Sequence, residues 1–151
     1  MEFLTSLAAF SQVGIDTPIF IYHLEGHAAY LPLTQALLSS IESGMKKAIT
    51  SVITLMEINV RPLQLGRPEI AIKYEALLAN FPNLSLIDID RGVARRTAQI
   101  RAKYDLRPAD ALQVAACQVG GAQVFITNDR RLAQLKPEIE IVVLQDFIAA
   151  H

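Results

Sequence analysis

Short apolar segments alternate along this chain with segments in which apolar residues recur every three or four positions. Five short segments rich in Val and Ile are predicted as β-strands, at 13–16, 48–51, 84–89, 124–127 and 140–144. Continuous apolar strands of this kind are typical of a parallel sheet that helices cover on both faces.

Helical periodicity occupies the intervals between these strands. Apolar stripes predict helices around 33–41, 70–81, 93–104 and 112–119. Pro18, Pro68 and Pro108 stand where helices can begin, because the first turn of a helix does not use its N–H groups. The alternation predicts an α/β fold, a three-layer α/β/α sandwich with a five-stranded, mainly parallel sheet.

Length and composition narrow the class of protein. The 151 residues suit one domain, 1–151, in which residues 1–12 form an N-terminal extension. Hydrophobic residues make up 52% of the chain, but no apolar run approaches the roughly 18 residues that span a bilayer, so no membrane association is expected. The single cysteine, Cys117, and the lack of a secretion signal favour the cytoplasm.

The net charge of −1 gives the whole protein no attraction for nucleic acid, so any such binding must rest on local charge or on metal ions. Four acidic residues stand at the ends of predicted strands or in the early turns of predicted helices. Asp16 ends the first predicted strand, Glu57 lies early in the helix after the second, Asp110 opens a helix and Asp129 follows the fourth strand. Ligands of open α/β sheets bind beyond the carboxyl ends of the strands, where these acids can converge.

Convergence of four carboxylates needs a physical reason. Two of them 4 Å apart repel by about 1 kcal/mol in water and about 4 kcal/mol at an effective dielectric near 20. Either the acids do not meet or a cation sits among them, and ligands that are all oxygen favour Mg²⁺ or Mn²⁺. One or two such ions suit phosphodiester hydrolysis. If the acids do meet, neutralising Asp16 or Asp129 in metal-free protein should raise its stability.

Each acid also has a purely structural interpretation. Asp110 is a favourable charge at a helix start, Asp129 suits a turn or a helix cap, and Asp16 can cap the helix that follows it. Glu57 is harder to explain in this way because it interrupts an apolar stretch. Periodicity alone leaves both interpretations open.

Four segments in order, GIDTPIFIYHLEG, ITSVITLMEI, LRPADALQVAAC and FITNDRRL, resemble the PIN-domain family, especially its VapC-type toxins, over about residues 13–144. The resemblance implies a hydrolase that cleaves RNA internally with Mg²⁺ or Mn²⁺, acts as a homodimer and is inhibited by a small antitoxin protein. It implies catalytic, metal-binding roles for Asp16, Glu57, Asp110 and Asp129, and support of the carboxylate by hydrogen bonds from Thr127 and Asn128.

Several basic residues are candidate RNA contacts, namely Arg96, Lys103 and Arg130. Arg131, next to Arg130, can offset the acids or touch substrate. The alternative function is a catalytically silent PIN-fold module that binds RNA or protein. A phosphatase with an aspartyl nucleophile is disfavoured, because the first strand lacks the DxD motif of such enzymes.

The N-terminal extension has two interpretations. Phe3, Leu7 and Phe10 have helical spacing, which predicts an added helix that packs on the domain or on a dimer partner. The alternative is a natural start near Val13, which mass spectrometry of the natural product would reveal.

Overall fold

The computed structural model describes residues 1–148 and contains one parallel sheet of five strands in the order β3-β2-β1-β4-β5. The fold prediction is confirmed, and every strand pair is parallel. The strands are β1 (Gln12–Ile15), β2 (Lys47–Ser51), β3 (Leu84–Ile87), β4 (Val124–Thr127) and β5 (Glu140–Val143).

Helices cover both faces of the sheet. On one face Val13 and Ile15 join a core with the helices that precede β3, and on the other Ile49 and Phe125 pack against the two that follow it. The helices are α1 (Glu2–Ser6), α2 (Thr17–Glu25), α3 (Leu31–Glu42), α4 (Val52–Gln64), α5 (Pro68–Ala79), α6 (Arg91–Lys103) and α7 (Pro108–Val119), with 3₁₀ turns at Arg130–Leu135 and Leu144–Phe147.

The strand register brings the segments after β1, β2 and β4 to the same edge of the sheet. Ile15 is in register with Ile126, and the Asp16 amide continues the ladder by donating to the Ile126 carbonyl at 2.9 Å. Gly14 lets α7 approach this part of the sheet, since a Cβ added there would lie 3.0 Å from Cys117 Cβ. The sequence thus places the start of α2 beside the end of β4.

The N-terminal helix belongs to the same core as the sheet. Phe3 and Leu7 are fully buried, and the Phe3 ring lies 5.4 Å from the ring of Phe147. The Lys46 ammonium donates to the carbonyls of Leu7 at 2.7 Å and Phe10 at 2.6 Å, which fixes the end of this segment. Of the two partners considered for the extension, the structure shows packing on the domain itself.

Within residues 1–148, every helix is too short or too polar to cross a membrane.

The packing of α1 leads to a stability prediction. Phe3→Ala should lower the free energy of unfolding by about 3–5 kcal/mol, because it leaves a cavity in a fully buried position. Glu2→Ala, in the same short helix but exposed, is the matched control and should change little. Chemical denaturation monitored by circular dichroism measures both. Equal stability of the two variants would show that α1 does not dock in solution.

Candidate metal centre

The carboxylate of Asp16 lies at the junction of β1, α2 and β4. Asp16 is the cap residue of α2, and its Oδ1 accepts a hydrogen bond from the Thr17 amide at 2.9 Å. Its Oδ2 accepts one from the Thr127 hydroxyl at 2.7 Å. Thr127 Oγ1 in turn accepts from the amide of Asp129 at 3.0 Å. Two consecutive hydrogen bonds therefore connect the first predicted acid to the backbone of the fourth.

This carboxyl is held where ionisation is unfavourable. Asp16 is only 8% exposed, and its burial raises its pKa to about 6. The hydrogen bonds from Thr127 and Thr17 lower the pKa, and the nearby charges of Glu57 and Asp110 raise it again. The structure thus brings Asp16 within electrostatic reach of two other predicted acids, each of which opposes its ionisation.

The side chain of Glu57, on α4, is oriented by Thr17, the first residue of α2. The Thr17 hydroxyl donates to Glu57 Oε1 at 2.7 Å. Thr17 therefore contributes its amide to Asp16 and its hydroxyl to Glu57, so one residue orients both carboxylates. A hydroxyl that donates to a carboxylate has used its only proton, and any other bond that Thr17 Oγ1 makes must be accepted.

A cluster of buried polar side chains contacts the hydroxyl of Thr17. Gln113, on α7 one turn after Asp110, donates through Nε2 to Thr54 Oγ1 at 2.8 Å and, at longer range, to Thr50 Oγ1 at 3.3 Å. Its Oε1 accepts from the Ser51 hydroxyl, and Thr54 Oγ1 lies 3.0 Å from Thr17 Oγ1. The cluster joins α7, α4, β2 and α2, the elements that carry three of the acids. An unsatisfied polar group here would cost about 1–3 kcal/mol, so the cluster holds these elements in one arrangement.

Arginines accompany the other two acids. Arg107 Nε donates to Asp110 Oδ2 at 3.0 Å. Arg131 binds Asp129 with two nitrogens, Nε to Oδ1 at 3.0 Å and Nη2 to Oδ2 at 2.7 Å. This pairing with Arg131 lowers the pKa of Asp129. The structure therefore changes the expectation for Asp129, whose neutralisation would break an ion pair rather than relieve repulsion.

The four acids fit a hard divalent cation in their chemistry, although the side chains do not form a finished site. Within residues 1–148, no three Asp, Glu, His or Cys side chains are arranged as a group able to hold a metal ion. Arg107 and Arg131 supply positive charge to two of the carboxylates instead. Asp16, by contrast, has no cationic partner among the described residues and keeps the raised pKa of an uncompensated acid. All-oxygen donors with unbalanced negative charge are the donor set that Mg²⁺ or Mn²⁺ takes.

The resemblance implies that Thr127 and Asn128 support a carboxylate by hydrogen bonds, and the structure shows such a bond for Thr127 but not for Asn128. Thr127 supports a carboxylate as expected, although the carboxylate is that of Asp16. Asn128 does not support the acids: its Nδ2 donates to the Tyr22 hydroxyl at 3.0 Å and its Oδ1 accepts from the Gln145 amide at 2.9 Å. The reason is geometric, because successive side chains at the end of a strand point to opposite sides.

The candidate RNA contacts are paired with acids outside the site. Arg96 and Lys103 both approach Glu138, at 3.6 and 3.4 Å, and Arg130 lies 2.6 Å from Asp146. All three therefore contact acids outside the four of the site, which makes them weaker candidates than the sequence indicated.

Sequence reasoning missed Thr17, Gln113 and the pairing role of Arg107. A signal existed for the last two. Gln113 is a polar residue one turn after Asp110 in a mostly apolar helix, and Arg107 precedes Asp110 by three residues, which is the spacing of neighbours on a helix.

Comparisons with known proteins agree with this architecture. The sequence model of the family described as PIN domain matches residues 13–137. No curated protein matches the chain at a significant level.

Solved structures share the fold. A toxin–antitoxin complex from Klebsiella pneumoniae contains a chain with a TM-score of 0.65 and 21% identity, over 87% of this chain and 97% of that one. DNA-bound VapBC from Salmonella typhimurium gives 0.65 and 23%, over 88% and 98%. VapC20 from Mycobacterium tuberculosis, described as a toxin that cleaves the sarcin–ricin loop, gives 0.59 and 15%, over 75% and 86%.

The raised pKa of Asp16 predicts how stability depends on pH. The folded chain holds this proton more tightly than the unfolded chain, whose Asp has a pKa near 3.9. Stability should therefore fall as the pH rises from about 4 to about 6. Asp16→Asn should remove this fall and, without divalent metal, raise the free energy of unfolding at pH 7.5 by up to about 3 kcal/mol.

Urea denaturation in chelator across this pH range measures the effect. Asp88→Asn, an exposed acid, is the control. If Asp16→Asn were instead several kcal/mol less stable at pH 7.5, the charged carboxylate of Asp16 would stabilise the fold, because Asn preserves the helix cap.

Proposed function

The chain belongs to the PIN domain family, and from that premise we propose that it is a metal-dependent endoribonuclease, the toxin of a type II toxin–antitoxin pair. The proposed reaction is hydrolysis of RNA phosphodiester bonds with Mg²⁺ or Mn²⁺, one or two ions. The proposed catalytic, metal-binding residues are Asp16, Glu57, Asp110 and Asp129.

One observation carries this proposal, the uncompensated negative charge around Asp16. A buried carboxyl whose pKa is raised further by Glu57 and Asp110 destabilises the folded protein. A bound divalent cation would reverse the sign of that contribution. A buried acid with a strongly raised pKa and other acids nearby is a recognised mark of a functional site, and a cap or a turn does not need one.

The residues of this chain would prepare the site in two ways. Thr127 and Thr17 hold the Asp16 carboxylate by hydrogen bonds, and Thr17 holds Glu57, so two donor groups are oriented before any ion arrives. Asp110 extends from the first turn of α7, which the Gln113 cluster fixes against β2 and α4. A divalent ion held there would lower the pKa of a bound water and stabilise negative charge on the phosphate.

The proposed partners are an RNA substrate, a cognate antitoxin and a second copy of this chain. Their support is the family and the shared fold with chains from toxin–antitoxin complexes. A surface groove of about 250 Å³ next to Glu57, lined by apolar residues that include Leu24, Ile58 and Tyr74, is suited to a protein segment that would cover the site. Cytoplasmic location and a single domain over 1–151 remain predictions.

A catalytically silent module that binds RNA or protein is the second candidate. It is favoured by the pairing of Asp110 with Arg107 and of Asp129 with Arg131, which balances two of the acids without metal. It leaves the burial of Asp16 beside Glu57 unexplained, and for this reason we favour the nuclease.

The nuclease proposal predicts loss of cleavage in an acid variant. Asp110→Asn should reduce Mn²⁺-dependent cleavage of a mixed RNA pool at least about 100-fold, since it removes a metal ligand, whereas Asp88→Asn should cleave like the wild type. Gel analysis with Mn²⁺, with Mg²⁺ and with chelator measures both variants. Cleavage that survives Asp110→Asn would exclude the proposed site, and wild-type protein that binds RNA without cutting it would favour the silent module.

The toxin assignment has its own readout. Expression of the wild-type chain should arrest bacterial growth, coexpression of the adjacent gene should relieve the arrest, and Asp110→Asn should be harmless. Unimpaired growth of cells that produce active nuclease would separate the enzymatic activity from the toxin role.

A further inference from the structure

A cleft of about 420 Å³ opens beside Asp110 and shares no lining residue with the groove next to Glu57. Its walls carry three arginines, Arg101, Arg107 and Arg131, together with Asp105 and Asp110. Arg101 is anchored through Nε to the Leu106 carbonyl at 3.3 Å. The cleft is therefore the place where cationic side chains reach the candidate metal centre.

The two arginines that contact the acids are well suited to exchange partners. Their side chains are 68% and 65% exposed, for Arg107 and Arg131 respectively. An ion pair with an arginine this exposed contributes about 0–1 kcal/mol, and the two-nitrogen pair of Arg131 with Asp129 is the stronger of the two because it is bidentate. Each arginine senses more than its own partner, since Arg107 helps to lower the pKa of Asp129 and Asp110 helps to raise that of Arg131. The four groups thus form one charge cluster rather than two isolated pairs.

The carboxylates of this cluster cannot bind the two arginines and a metal ion at the same time. A divalent cation bound by Asp110 and Asp129 would compete directly with Arg107 and Arg131 for the same carboxylates. The released guanidinium groups would remain at the mouth of the cleft, where three arginines would then face Asp105 as the one other acid of the cleft wall. Arginine's planar set of donors matches a phosphate group particularly well.

We propose that Arg107 and Arg131 are the phosphate-binding subsite for the RNA strand, and that they pass from Asp110 and Asp129 to the RNA backbone when the divalent ion binds. This inference rests on the proposed nuclease function. It assigns RNA contact to arginines inside the site instead of Arg96, Lys103 and Arg130. The partners of those three, Glu138 and Asp146, are not among the four proposed metal-binding acids, so an ion bound there would not release them. Asp110 and Asp129 hold the two arginines in place until the ion arrives.

If the arginines exchange partners in this way, replacing one of them should strengthen the binding of Mn²⁺ and weaken the binding of RNA. Arg107→Gln or Arg131→Gln should bind Mn²⁺ about threefold more tightly, because a competing cation is gone. The same variants should raise the KM for a fluorescently labelled single-stranded RNA about tenfold with a much smaller change in kcat, because a charged phosphate contact is lost. An arginine that only stabilises the fold would not produce this pair of changes.

The test uses the full chain, isothermal titration calorimetry with Mn²⁺ and steady-state cleavage of the labelled RNA. Arg67→Gln is the matched control, since the Arg67 side chain is comparably exposed and pairs with an acid outside the site, Glu69. Arg67 lies in the turn between α4 and α5, at the end of α4 remote from β2. Arg131→Lys keeps the charge without the planar donor set and should recover part of the RNA affinity. Thermal melts confirm that each variant folds.

The outcomes separate this inference from the function on which it rests. A KM that matches that of Arg67→Gln in both variants would overturn the phosphate subsite, and unchanged or weaker Mn²⁺ binding would overturn the exchange. In either case, loss of cleavage in Asp110→Asn would leave the nuclease proposal standing. Wild-type protein that neither binds Mn²⁺ nor cleaves RNA would overturn both.

Discussion

Burial of the Asp16 carboxyl close to other acids is the physical constraint on which this site depends. Burial beside Glu57 and Asp110 opposes ionisation, and hydrogen bonds from Thr17 and Thr127 only partly offset that cost. A protein gains no stability from such an arrangement at neutral pH. In the function that we propose, a divalent cation would supply the missing positive charge, and Thr17 and Thr127 already orient the Asp16 carboxylate.

The parallel sheet is what assembles this site from distant parts of the chain. The ends of β1 and β4 are neighbours, so Asp16 and Thr127, more than a hundred residues apart in sequence, come within hydrogen-bonding distance. Buried hydroxyl groups and Gln113 then fasten α7 and α4 beneath them. Rigid elements carry Asp16, Glu57 and Asp110, whereas the arginines that face them are long, exposed side chains. The site therefore combines fixed acids with movable cations.

Sequence periodicity predicted the strands to within a residue or two at most ends, because short Val- and Ile-rich segments have few other solutions in a parallel sheet. It also placed the acids at strand ends and helix starts. It did not predict which groups each acid would contact. Thr127 supports Asp16 rather than the carboxylate of Asp129, and Asn128 faces away, since these choices depend on how strands lie side by side. The pairing of Arg107 with Asp110 was visible in their spacing, but its competition with a metal ion needed the structure.

The most direct measurement is anomalous diffraction from crystals of the wild-type chain grown with saturating Mn²⁺. The account predicts a manganese peak bonded to Asp16 and to at least one more of Glu57, Asp110 and Asp129, with Arg107 and Arg131 turned away from the acids. Two results would contradict this prediction. One is the absence of a manganese peak at this edge of the sheet, and the other is manganese bound elsewhere while the ion pairs of Arg107 with Asp110 and Arg131 with Asp129 remain intact.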